Sequence, residues 1–226
     1  MKLHKFFILC VLVLLYVSCT HSAPTYPNML ADVEPFSVGS VDVSLDRIFS
    51  SDVKGTTVEV VFYPRENAVA LEFGTGLGGQ YQQFWDEAGR QKFIEALNGY
   101  KDDFGNQKLT TKYNKSRAIY GKAKGWFQWK SVKVSPSYQA SPVFELGYRF
   151  RDGSPYFAVL QKTAREETEA NKKGITESPQ YSIYFTRAQA EDLAALFDQA
   201  FLRQSLGDLA PPPAAPEPAK DVYKEK

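Results

Sequence analysis

The chain is predicted to adopt an α+β fold. It reads as two tandem β-β-β-β-α units, over residues 38 to 105 and 111 to 205, packed as one pseudo-twofold domain. Three observations predict it. First, an internal repeat is present: Gln80, Tyr81, Phe84, Trp85, Asp86, Ala88, Phe93 and Leu97 recur one hundred positions later as Gln180, Tyr181, Tyr184, Phe185, Thr186, Ala188, Leu193 and Phe197. Second, apolar residues alternate with polar ones on both sides of a turn in each half, the period of a half-buried hairpin. Third, a residue able to cap a helix precedes apolar residues at helical spacing in each half. One helix cannot cover both faces of its sheet, and each half is small for independent stability, so the two units are expected to share a core.

The elements follow in order. Val41, Val43 and Leu45 carry the first strand. Val58, Val60 and Phe62 alternate into the turn Pro64, Arg65, Glu66, Asn67, and Val69, Leu71 and Phe73 alternate out. Gly74, Gly76, Gly78 and Gly79 form a hairpin connection. They lack the Gly-Lys-Ser/Thr ending of a phosphate loop and lead into a strand, where such a loop would open a helix. Tyr81, Phe84 and Trp85 make an aromatic strand that ends at Asp86, and the helix it caps presents Phe93, Leu97, Tyr100 and Phe104 to the sheet.

The second unit opens with one strand from Ile119 to Val134. Phe144, Leu146, Tyr148 and Phe150 then run into Arg151, Asp152 and Gly153, where Asp-Gly supplies the positive backbone dihedral a hairpin turn requires. Tyr156, Ala158 and Leu160 alternate out, and a charged stretch from about Gln161 to Pro179 is expected to be exposed and mobile. Thr186 caps the last helix, whose stripe is Leu193, Leu196, Phe197, Ala200 and Phe201. Four antiparallel strands and a helix, repeated, resemble the PUR repeat and the related whirly proteins. Ile119, Tyr120, Gly121, Lys122, Ala123 and Lys124 are similar to the basic Lys-Gly-Lys-Ala-Ala strand motif of the whirly family, one residue out of register. That likeness implies a single-stranded nucleic-acid binder.

The ends of the chain are of a different character. Residues 1 to 18 pair Lys2 and Lys5 with an apolar run from Phe6 to Leu15, shorter than the roughly 20 residues a membrane-spanning helix needs, and read as a secretory signal. Leu15, Tyr16, Val17, Ser18 and Cys19 resemble the lipobox of bacterial lipoproteins, in the looser form found in spirochaetes. That implies a lipid on Cys19 and a protein exported to the cell envelope and anchored to a membrane. The competing cut after Ala23 would put Pro24 behind the scissile bond, a poor fit to an extended protease subsite. Residues 19 to 37, with Pro24, Pro27 and Pro35, read as a tether, and 207 to 226, rich in Pro and Ala, as a disordered tail.

Composition excludes much chemistry. The chain has 226 residues, with 27 Lys and Arg against 26 Asp and Glu, so no whole-molecule charge draws it to polyanions. Its 2 Cys (Cys10, Cys19) and 2 His (His4, His21) all precede the predicted fold. A body without imidazole or thiol runs no Ser-His-Asp or Cys-His mechanism and builds no common zinc site, so no catalytic residue, metal or cofactor is expected. Carboxylate-pair and Ser-Lys chemistry survive this test without a recognisable motif.

Binding is expected at one strand. From Lys108 to Lys133 there are eight basic residues and no acid. On a strand, Ile119, Ala123, Phe127 and Trp129 point to one face, and Tyr120, Lys122, Lys124, Trp126, Gln128 and Lys130 to the other. Ammonium groups interleaved with aromatic rings attract anions and stack flat groups. The same pattern also serves a solvated face, or an edge strand kept from aggregating. With export, the expected partner is an envelope protein or an anionic polymer; nucleic acid is the alternative.

Overall fold

A computed structural model describes residues 33–47, 54–75, 79–113, 118–130, 137–168 and 177–209. Ten antiparallel strands are joined in one sheet: β1 (Phe36–Arg47), β2 (Lys54–Tyr63), β3 (Ala68–Thr75), β4 (Gly79–Trp85), β5 (Ile119–Lys124), β6 (Trp126–Lys130), β7 (Tyr138–Ala140), β8 (Val143–Arg151), β9 (Ser154–Gln161) and β10 (Tyr181–Phe185). Among the described residues three α-helices accompany them: α1 (Glu87–Gly105), α2 (Arg187–Phe197) and α3 (Gln199–Leu209). The strand order is β5-β8-β9-β10-β1-β2-β3-β4-β6-β7.

That order dictates a curled sheet. In a flat sheet β5 and β6 would lie eight strand spacings apart, roughly 38 Å. Only Gly125 separates them in the chain, so their facing ends lie within about 7 Å. The single strand expected from Ile119 to Val134 is therefore two strands, β5 pairing with β8 and β6 with β4, and residues 131–136 lie outside the described residues. Gly125 permits the break because a Cβ there would run into the Phe84 carbonyl oxygen and the Phe144 ring.

The inward face carries the core. Val41, Val43 and Leu45 of β1, Val58, Val60 and Phe62 of β2, and Val69, Leu71 and Phe73 of β3 are buried, as alternation predicts. The first two helices pack on this side, α1 on β4, β5 and β8 and α2 on β1, β9 and β10. Trp85 is the hub: its ring lies 4.7 Å from Phe144, 5.9 Å from Phe93 and 5.6 Å from Phe197. Burying each such ring contributes about 2 kcal/mol. Asp86 caps α1 by accepting from the Gly89 N–H at 2.7 Å, and Thr186 caps α2 in a reciprocal box with Gln189.

Two polar knots are sealed into this core. The guanidinium of Arg90, 1% exposed, donates to the backbone carbonyls of Asn67 (2.7 Å), Trp85 (3.1 Å) and Phe197 (3.2 Å) and to the Gln199 side chain, tying the β2–β3 turn to the α2–α3 junction. Gln83, fully buried, donates to Gln161 (3.2 Å) and to the Tyr181 hydroxyl (2.9 Å) and accepts from the Trp85 indole (3.1 Å). Burial pushes the Tyr181 phenol well above its ordinary range.

Six expectations are corrected. On β9 the residues that join the core cluster are Phe157 and Val159; of the expected alternating set Tyr156, Ala158 and Leu160, Ala158 is buried on the other face and the other two are half-buried. Both sets are apolar, so pattern alone does not choose, and the tight turn with positive φ at Asp152 and Gly153 sets the register Leu146↔Val159. The last helix breaks at Asp198, whose side chain accepts from the Phe201 N–H at 2.9 Å and starts α3, so that Leu202 is buried and Phe201 only partly. The charged stretch after β9 is anchored in part: Ala140 bridges Glu166, Arg165 bridges Glu177, and the buried Ser178 hydroxyl accepts from the Ala164 N–H. Finally, the second half holds six strands where four were expected, through the break at Gly125 and the short β7. β1 starts at Phe36, inside the expected tether, and α3 reaches Leu209, inside the expected tail.

Candidate functional site

The predicted binding strand is the seam β5–Gly125–β6, and the structure separates its residues by environment. Tyr120 leaves the group. Register with β8 slips between Ile119 and Gly121, and this bulge turns the Tyr120 ring onto α1, against Gly99. Its hydroxyl donates to Asp103 at 2.9 Å. Burial, then that hydrogen bond and the Asp103 charge, push its phenol far above the ordinary range, so the group stays neutral.

The other five stay outside. Lys122 reaches Glu145 across the β5–β8 pair at 3.2 Å, and Lys162 reaches the same carboxylate at 3.3 Å. Partial burial pushes the Glu145 carboxyl up, but the two lysine hydrogen bonds outweigh it and hold the group below the usual carboxylate range. Lys124 is exposed opposite Val143 and has no ion pair among the described residues. Trp126, half-buried, lies flat on Phe84 at 4.7 Å and 9°, and Phe84 meets Tyr63 edge-on at 5.0 Å. Gln128 stands between Gln82 and Gln139 and donates to the latter at 3.3 Å; Lys130 stands opposite Gln80. Cys19, with Lys115, Arg117 and Lys133, lies outside the described residues.

The strand registers extend this surface beyond what the sequence indicates. Ser40, Glu59, Glu72, Gln82, Gln128 and Gln139 are successive cross-strand partners over β1, β2, β3, β4, β6 and β7, one polar row across the outer face. Alternation places each of them outward; their alignment needs the register, which a single sequence does not display. Among the described residues no group of three or more His, Cys, Asp or Glu gathers, and no helix is long and apolar enough to cross a membrane.

A family model described as "Uncharacterised Treponema protein" matches residues 36–204, from the first residue of β1 into α3. The chain belongs to that family. Its description points to a spirochaete source. No curated protein and no solved structure matches the chain.

Proposed function

We propose that this is an exported lipoprotein, anchored to a membrane of the bacterial cell envelope through lipid on Cys19. Its non-catalytic folded body would bind an envelope partner, a protein or an anionic polymer, through the outer side of the β5–β6 seam. One observation carries the reading: Lys122, Lys124, Trp126, Gln128 and Lys130 stay outside along one run of chain even though its two halves pair with opposite ends of the sheet. The run offers lysines, an amide and a half-exposed indole held flat by Phe84. The finer architecture belongs to the same proposal. The neighbour order β1-β2-β3-β4 followed by a capped helix, and β5-β8-β9-β10 followed by another, supports a tandem PUR-like or whirly-like duplication.

Mass spectrometry of the mature amino terminus tests the anchor: acylated Cys19 is expected, and a start at Pro24 or an intact leader overturns it. Titrating polyphosphate into the protein while following Trp126 fluorescence tests the surface. Lys124→Glu with Lys130→Glu is expected to weaken binding about tenfold or more, with a salt slope that flattens in step. Tight binding of a single-stranded oligonucleotide at physiological salt, lost with Trp126→Ala, would transfer the surface to nucleic acid.

A further inference from the structure

On the outer face, two strands along from Lys130, the side-chain rows are interrupted at Gly74 of β3. Gly74 pairs with Gln80, and a Cβ placed on it meets nothing nearer than the Gly79 carbonyl oxygen at 3.9 Å. The missing side chain leaves a hollow of about 220 Å³ beside Glu59, Glu72, Gln80 and Gln82. A second hollow of about 520 Å³ shares Glu59, Glu72 and Gly74 and extends the trough over Ser40 and Thr57 of β1 and β2. None of the residues lining either hollow is basic.

The chemistry of the walls is specific. Glu59 and Glu72 are direct cross-strand partners, a like-charge pair that costs free energy unless something bridges it, and neither has an ion pair among the described residues. Glu72 is held in place: the Tyr63 hydroxyl (3.0 Å) and the Gln82 amide (2.8 Å) both donate to its Oε1. Its Oε2 has no hydrogen-bond partner among the described residues. Around this fixed carboxylate stand carboxamides and hydroxyls, flat or compact groups that exchange paired hydrogen bonds with a polyol. The carboxylate pair repels phosphates and uronates and complements an ammonium group.

We infer that this trough binds an oligosaccharide bearing free amino groups, its ammonium between Glu59 and Glu72 and its hydroxyls on Gln80, Gln82 and Ser40. Gln80 and Gln82 are the cross-strand neighbours of Lys130 and Gln128, so the trough borders the β6 end of the lysine seam; its carboxylate pair lies on β3 and β2, one and two strands further off, and the inference does not rest on the seam's binding.

Calorimetry on the full mature chain decides the matter, with a glucosamine tetramer as the probe. Binding is expected, weakened about tenfold by N-acetylation of the tetramer and by Glu72→Gln or Glu59→Gln, as loss of a charge-assisted contact predicts. Gly74→Leu fills the hollow from a position with open space and is expected to abolish binding at unchanged thermal stability. Should that variant fold poorly, the two isosteric Glu→Gln variants carry the test. Lys124→Glu and Trp126→Ala are expected to leave tetramer binding unchanged, which separates this site from the seam. The inference is overturned by absence of binding at millimolar tetramer, or by an oligouronate that still binds once Lys124→Glu with Lys130→Glu has disabled the seam. It is equally overturned if tetralysine matches the sugar and Gly74→Leu affects neither, which would reduce the trough to unspecific charge.

Discussion

Gln82 and Gln83 are neighbours on β4 and chemically identical, yet they face opposite ways across the sheet. Gln83 points into the core, where its amide is used on both sides by Gln161, Tyr181 and Trp85. Gln82 points outward and donates to Glu72 and Tyr63 at a half-buried surface that water also reaches. The difference teaches that on this sheet the face, and not the residue type, sets what a polar group is for. Inside, it locks strands distant in sequence; outside, it ties adjacent strands at a surface open to solvent.

The contrast can be broken by substitution. Gly125→Ala forces a Cβ into the Phe84 carbonyl at the seam and is expected to cost about 3 kcal/mol or more, seen as loss of a cooperative urea transition. Arg90→Leu strips donors from three buried carbonyls and is expected to cost about 3 kcal/mol in the same measurement. Gln83→Leu leaves the Trp85 N–H without its acceptor and should cost about 2 kcal/mol, whereas Gln82→Leu should stay within about 0.5 kcal/mol. Equal midpoints for the two glutamine variants would erase the distinction between the faces.

Titration sharpens it. Burial raises the phenols of Tyr181 and Tyr120, and pushes Tyr100 up to about 12 from 10.0. An acid whose folded pKa is raised keeps its proton while the unfolded chain loses it. Stability is therefore full below about pH 10 and falls as pH climbs beyond, which denaturant midpoints on an alkaline series will show. Glu145 has the opposite sign: its lowered carboxyl stabilises the fold above the usual carboxylate range, and that contribution disappears as pH falls through its folded value. Both lysine partners are more than half exposed, so Glu145→Gln should remove under about 1 kcal/mol at neutral pH, and less in high salt.

Local rules made a good part of this fold legible. Asp86 and Thr186 announced both helix starts, and alternation named the buried residues of β1, β2 and β3, because capping and pleat are properties of near neighbours. The register of β9 escaped because both of its faces are apolar. The break at Gly125 escaped because its cause, the Phe84 carbonyl and the Phe144 ring, comes from β4 and β8. Arg90 raised no expectation, since nothing near it in sequence reveals the carbonyls of Asn67 and Phe197 that receive it. At the surface, the outward lysines and Trp126 were legible from period two. The departure of Tyr120 and the Glu59–Glu72 pairing required the long-range register.

The pairing of β1 with β10 imposes an order of events on the chain. Asp46 and Tyr184, on opposite sides of that junction, are 138 positions apart. Until the last strand arrives, β1 has a vacant hydrogen-bonding edge that any stray extended peptide can occupy. A ribosome or an export channel that releases the polypeptide head first therefore delivers an unfinished sheet for most of its transit. Any truncation before Tyr181 should accumulate as aggregate and not as a smaller folded body.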